Sequence, residues 1–163
     1  MPTGVYPYFF IFNLNTIMLE LVNSLSNSLV DYIKDDPVRP EIPREFRVSN
    51  NRFILAITEE GIPASMVCVS LHDFVPETVT DLDRTSSNPT TAVFYTIWSY
   101  QAGSGSILLR EGLNFIRQLF TTVDVFVTLS PKTEMARRFH LKNGATVYRE
   151  NLDTINYRYS VNL

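Results

Sequence analysis

Four small residues in a row, Gly103-Ser104-Gly105-Ser106, stand between the uncharged run Thr91–Tyr100 and a stretch whose Leu109, Leu113, Ile116 and Phe120 mark one apolar face. A strand that ends in such a loop and then opens a helix gathers main-chain N–H groups at a helix N-terminus, where partial positive charge favours phosphate. Gly103 and Gly105 let the backbone approach closely, and Ser104 and Ser106 add hydroxyl donors. The arrangement suits a diphosphate. A plain turn before a helix is the structural alternative, and Gly-Ser-Gly alone does not separate the two. A dinucleotide fold is disfavoured, because the loop lacks the full glycine fingerprint and no βαβ array with a trailing ribose carboxylate follows.

Ser130 and His140 form a second constellation, ten positions apart. Ser130 follows the apolar run Asp124–Leu129, and His140 lies on the segment from Lys132 to Asn143 that Gly144 closes. An imidazole can supply or take a proton near neutral pH, and a serine hydroxyl can hydrogen-bond a carboxylate or that imidazole. The structural alternatives are a histidine that completes a packing layer and a serine that caps the following helix. Arg137-Arg138 reads as a partly solvated face within reach of a phosphate, and His72 as a loop residue without a role. Cys68, the single cysteine, sits in the apolar run Ser65–Val69 and reads as a small core residue; one cysteine and two histidines supply no metal cluster.

These groups must be held by elements that the rest of the chain builds. With 163 residues, 45% of them hydrophobic and 19% charged, the chain is expected to form one domain, residues 1–17 being a loosely attached extension. A net charge of −3 offers no global basic field for nucleic acid. The uncharged run Val5–Leu19 has no basic start, is interrupted by Pro7, Asn13 and Asn15, and ends at Glu20, short of the ~20 residues needed to span a bilayer. The expectation is a cytoplasmic protein without a membrane partner; the oligomeric state, a homodimer included, is left open.

Ile17, Leu21, Leu25, Leu29 and Ile33 recur at helical spacing, which predicts an amphipathic helix over 16–34. Arg52–Thr58 and Pro63–Leu71, joined by Glu59-Glu60-Gly61, predict an antiparallel hairpin, and 73–89 a long surface loop. Thr91–Tyr100 is a central strand covered on both faces. Helix, strand, helix and two last strands, over 145–149 and 156–161, complete a mixed α/β sheet.

That order of elements resembles the Gcn5-related N-acetyltransferase (GNAT) fold, a mostly antiparallel sheet with splayed central strands flanked by helices. The loop resembles the fold's pyrophosphate motif, with Tyr100 at the position usually held by Gln or Arg and Gln101 displaced by one. In Ala136–Gly144, His140 stands where many acetyltransferases carry a tyrosine. Phe139-His140-Leu141-Lys142-Asn143-Gly144-Ala145 is similar to the segment bearing the catalytic histidine of malonyl-CoA decarboxylases. Thr91–Ile97, Leu129-Ser130-Pro131 and Asn156-Tyr157-Arg158-Tyr159 resemble that family's central strand, serine segment and last strand. Two departures stand out: the family's long helical insertion between serine and histidine is missing, and these 163 residues hold no match to its helical N-terminal domain.

The resemblance implies a coenzyme A thioester as substrate, malonyl-CoA or acetyl-CoA, and no metal. It implies catalytic roles for Ser130 and His140, an oxyanion contact from the strand near Trp98, and coenzyme contacts from Tyr100, Gln101, Gly103, Ser104, Gly105 and Ser106. A lyase releasing carbon dioxide is the first expectation and an N-acyltransferase the second. The absence of Asp and Glu from Thr91–Gln101 favours the lyase. A coenzyme-binding module without chemistry is the third. The cleft is expected to open where the strand ending at Ser99 or Tyr100 splays from the one beginning near Asp124.

Overall fold

The computed structural model describes residues 9–11 and 17–161. Among the described residues nine strands form one sheet in the order β1-β2-β3-β4-β5-β6-β9-β7, with β8 paired to β9. The strands are β1 (Phe9–Ile11), β2 (Ile17–Val22), β3 (Arg52–Glu59), β4 (Ile62–His72), β5 (Thr91–Ser99), β6 (Val125–Thr128), β7 (Ser130–Pro131), β8 (Thr146–Glu150) and β9 (Thr154–Tyr159). Three α-helices, α1 (Arg44–Arg47), α2 (Ser104–Leu119) and α3 (Glu134–Lys142), and two 3-10 helices, Ser28–Asp35 and Thr80–Asp83, flank it. Every pairing is antiparallel except that of β5 with β6, which α2 joins by a crossover.

The sheet is buried on both sides, which is why its middle strands carry unbroken apolar runs. Along β3, Phe53, Leu55 and Ile57 join Leu109, Leu113 and Ile116 of α2 in one core layer. Ile54 and Ala56 face the other layer, beside Leu29, Ile33, Met66 and Tyr95. Each fully buried side chain of this size contributes about 1.5–3 kcal/mol. Cys68 belongs to the second layer, fully buried, and burial pushes its thiol up to about 11, which suits a core residue.

Two expectations change. The helix expected over 16–34 is instead strand β2 followed by the 3-10 helix, with Leu25 49% exposed between them. β3 offers a free edge, and β2 takes its hydrogen bonds from Ile17↔Glu59 to Val22↔Ile54. The polar run Asn23–Asn27 then breaks the segment, and the Asn27 side chain accepts from Leu29 N–H at 2.9 Å to start the 3-10 helix. The 73–89 segment is also more than a surface loop: Leu82 is fully buried, and Asn156 and Thr154 of β9 donate to the carbonyls of Pro76 and Glu77. Of the expected extension over 1–17, residues 1–8 and 12–16 lie outside the described residues, whereas Phe9–Ile11 pair with β2. Among the described residues no helix is long and apolar enough to cross a membrane.

β5 and β6 pair only from Thr91↔Val125 to Phe94↔Thr128. Beyond Phe94 they part, and at that level the β4–β5 register skips Tyr95, a β-bulge that bends β5 away. The β6-facing edge of β5 from Tyr95 to Ser99 has no strand partner among the described residues. This is the expected splay.

Candidate functional site

The gap between the parted strands holds a cavity of about 390 Å³. Its walls are the free edge of β5 with Trp98, the Ser130-Pro131 step, and Met135, Ala136, Phe139 and His140 of α3. Pro37 and Val38 close it from the side. A second cavity of about 360 Å³ continues it, lined by Ser99–Gly103, Gly105 and Ser106 and, opposite, by Phe139, Lys142 and Asn143. Ser99 and Phe139 line both cavities, so the two form consecutive chambers.

Local sequence explains how each wall is held. Gly103 has φ +82°, a left-handed conformation that a side chain resists, and it caps α2. Gly105 serves close approach: an added Cβ would lie 2.9 Å from Ser99 Oγ and 3.2 Å from the Phe139 ring. The loop is therefore clamped between β5 and α3. Thr133 accepts from Ala136 N–H at 3.2 Å to start α3, and Gly144, at φ +92°, ends it.

The structure brings Ser130 and His140 to one cavity but not into a mutual hydrogen bond. Ser130 Oγ donates to Thr128 Oγ1 at 2.8 Å. His140 is 4% exposed, its Nδ1 lies 2.7 Å from the Tyr159 hydroxyl, and its ring stacks on Tyr157 at 5.0 Å between centroids. Burial pulls the imidazole down to about 4 and the Tyr159 phenol well up. His140 is thus neutral at neutral pH. Tyr157 and Tyr159 point to one face because they are two apart on β9, a period-2 signal present in the sequence. Thr128 stands two positions before Ser130, so that contact is local as well, whereas its acceptance of the Tyr157 N–H at 3.1 Å has no mark in neighbouring residues.

Around the second chamber the expected residues divide. Gly103, Gly105, Ser106, Gln101 and Tyr100 line it. Ser104 turns inward, its Oγ 2.7 Å from Ser65 Oγ, and its N–H is bonded to the Gln101 carbonyl. The Tyr100 and Gln101 N–H groups both go to the Ala64 carbonyl, so neither N–H is directed to the chamber. The Tyr100 hydroxyl accepts from the Trp98 indole at 3.1 Å and donates to Asp35 at 2.8 Å.

The Pro37-Val38 wall depends on residues that carry no motif. Asp36 and Arg47 form a buried ion pair at 2.6 Å. Asp36 also accepts from Thr96 of β5 at 2.8 Å, which pins the wall to the strand that carries the cleft.

A sheet of this order, bulged and parted at the one parallel pair among the described residues with a glycine loop at the mouth, is decisive for the fold. The chain has the GNAT fold. Solved structures of the same build agree. Malonyl-CoA decarboxylase from Agrobacterium vitis superposes with a TM-score of 0.78 at 19% identity, over 91% of this chain and 61% of that one. The enzyme of that name from Rhodopseudomonas palustris gives 0.71 at 20% identity, over 93% and 58%. The Campylobacter jejuni N-acetyltransferase PseH in complex with acetyl coenzyme A gives 0.59 at 11% identity, over 88% and 98%. The chain thus spans about three fifths of the decarboxylase chains, 61% and 58%. No protein-family model and no curated protein matches the sequence.

Proposed function

We propose that this GNAT-fold domain is an acyl-coenzyme A enzyme that decarboxylates malonyl-CoA or a related malonyl thioester. The observation that carries the reading is the lining of the inner cavity: Ser130 and His140 stand in it, and neither a carboxylate nor a cation is among its lining residues. Similar GNAT-fold structures described as malonyl-CoA decarboxylase and as an acetyl coenzyme A complex support the coenzyme reading. The diphosphate lies against the Gly103–Ser106 loop, and the pantetheine arm runs along the free edge of β5.

In this reading the bond between the α-carbon and the carboxyl carbon breaks and carbon dioxide leaves. The electron pair passes into the thioester enolate, whose oxygen takes a hydrogen bond from a β5 N–H near Trp98. An apolar chamber without a cation disfavours the substrate carboxylate more than the neutral product, which lowers the barrier. With the Tyr159 hydroxyl donating to Nδ1, the imidazole proton sits on Nε2 and is delivered to the α-carbon. Solvent restores that proton, so the sum is malonyl thioester plus a proton to acetyl thioester plus carbon dioxide. Ser130 orients the departing carboxylate by hydrogen bonding.

The test is carbon dioxide release from malonyl-CoA, measured beside thiol release from acetyl-CoA with amine mixtures. Carbon dioxide release supports the lyase; amine-dependent thiol release without it promotes the transferase. One observation favours that second reading: Asp35, which accepts from the hydroxyl of Tyr100, a residue of the outer chamber, is a carboxylate able to take a proton from an amine. Binding without either reaction leaves a coenzyme-binding module.

Because His140 titrates near 4, kcat/KM is expected to stay flat between pH 6 and 8, where an ordinary histidine at about 6.5 would bend the profile. A limb centred near 6.5 that disappears in His140→Gln contradicts the neutral-imidazole mechanism. Gly105→Val is expected to force Phe139 and Ser99 apart and to weaken coenzyme A binding at least tenfold, at an overpacking cost of about 1–3 kcal/mol. Calorimetry showing unchanged affinity would remove the loop from the coenzyme site.

A further inference from the structure

Coenzyme A is a polyanion, whereas the chain carries a net charge of −3, so its overall field does not favour the ligand and a local cation must. The inner chamber has no lysine or arginine in its walls, and the outer chamber has one, Lys142. Lys142 is the last residue of α3 and stands one turn after Phe139, the ring that packs against Gly105. The same contact that clamps the loop therefore sets Lys142 across the chamber from it. Its neighbour Asn143 is occupied, donating to the Phe139 carbonyl at 2.8 Å. None of the ion pairs among the described residues includes Lys142.

We propose that Lys142 pairs with the coenzyme diphosphate from the wall opposite the Gly103–Ser106 loop and so sets the preference for nucleotide-bearing thioesters over bare pantetheine thioesters. The proposal rests on the coenzyme placement above. A diphosphate held on one side by main-chain N–H groups leaves oxygens free on the other, and an ammonium group on a flexible stem meets them as a point charge. Arg137 and Arg138 line neither chamber.

The experiment is titration calorimetry of the whole chain, wild type, Lys142→Ala and Lys142→Arg, against coenzyme A, dephospho-coenzyme A and pantetheine. Lys142→Ala is expected to weaken coenzyme A and dephospho-coenzyme A alike, by about tenfold, as suits loss of one charge-assisted contact. Pantetheine affinity should not change, Lys142→Arg should keep most of the affinity, and the wild-type advantage should shrink with added salt. A loss confined to coenzyme A would move Lys142 to the 3′-phosphate and overturn the assignment. An equal loss for pantetheine would make the effect structural, and no loss at all would remove Lys142 from the site. If Gly105→Val loses affinity while Lys142→Ala keeps it, this inference falls and the coenzyme placement stands. If the wild type binds no coenzyme A, both fall.

Discussion

His140→Ala is expected to lower kcat for carbon dioxide release from malonyl-CoA by about 10²–10⁴-fold while leaving the Kd for coenzyme A within about twofold. In the proposed reaction the imidazole is called on only when the carbanion forms, so its loss would remove transition-state stabilisation and little ground-state binding. Its neighbours sharpen the expectation. Tyr159→Phe keeps the ring and removes the hydroxyl 2.7 Å from Nδ1, so it should reproduce part of the loss without disturbing the fold. Ser130→Ala should lower the rate as well, and the double variant with His140→Ala should lose less than the sum if both groups serve one step. A His140→Ala protein that still releases carbon dioxide at the wild-type rate would show that another group supplies the proton.

Arg47→Met is expected to destabilise the fold by about 3–5 kcal/mol, read as a lower urea midpoint. Arg47 is fully buried and donates to the carbonyls of Arg39 and Ile42 at 2.7 and 2.8 Å as well as to Asp36. Removing it strands a carboxylate that is 3% exposed, held then only by Thr96 and the N–H groups of Val38 and Arg39. The double variant Asp36→Asn/Arg47→Met should recover part of the loss, because the uncompensated charge goes with it. The functional consequence follows from position. Pro37 and Val38 come directly after Asp36 and wall the inner cavity, so KM for malonyl-CoA should rise in any Arg47 variant that remains folded. A midpoint unchanged within error would mean that the pair contributes nothing net.

Much of the site could be read from local pattern. Thr91–Tyr100 has no charge because β5 is covered on both faces, and the small residues after it mark the loop because φ +82° at Gly103 suits glycine. Gly144 closes α3 for the same reason. Where two periods fit one segment, pattern failed. Ile17, Leu19 and Leu21 alternate as a strand does, while Ile17, Leu21 and Leu25 repeat as a helix does, and only the open edge of β3 decides between them.

What the sequence by itself determined was the order of the main elements from β3 onward and the glycine loop, since each is written in neighbouring residues. What the tertiary structure decided lies between residues far apart in the chain. The partner of His140 is nineteen positions away and that of Asp36 on β5 is sixty, and both contacts exist only because the sheet brings the strands together. The inward turn of Ser104 depends on Ser65 of β4, and the low pKa of His140 on its burial between α3 and β9, where it meets Tyr157 and Tyr159. Burial and long-range pairing act through space, so no local spacing records them.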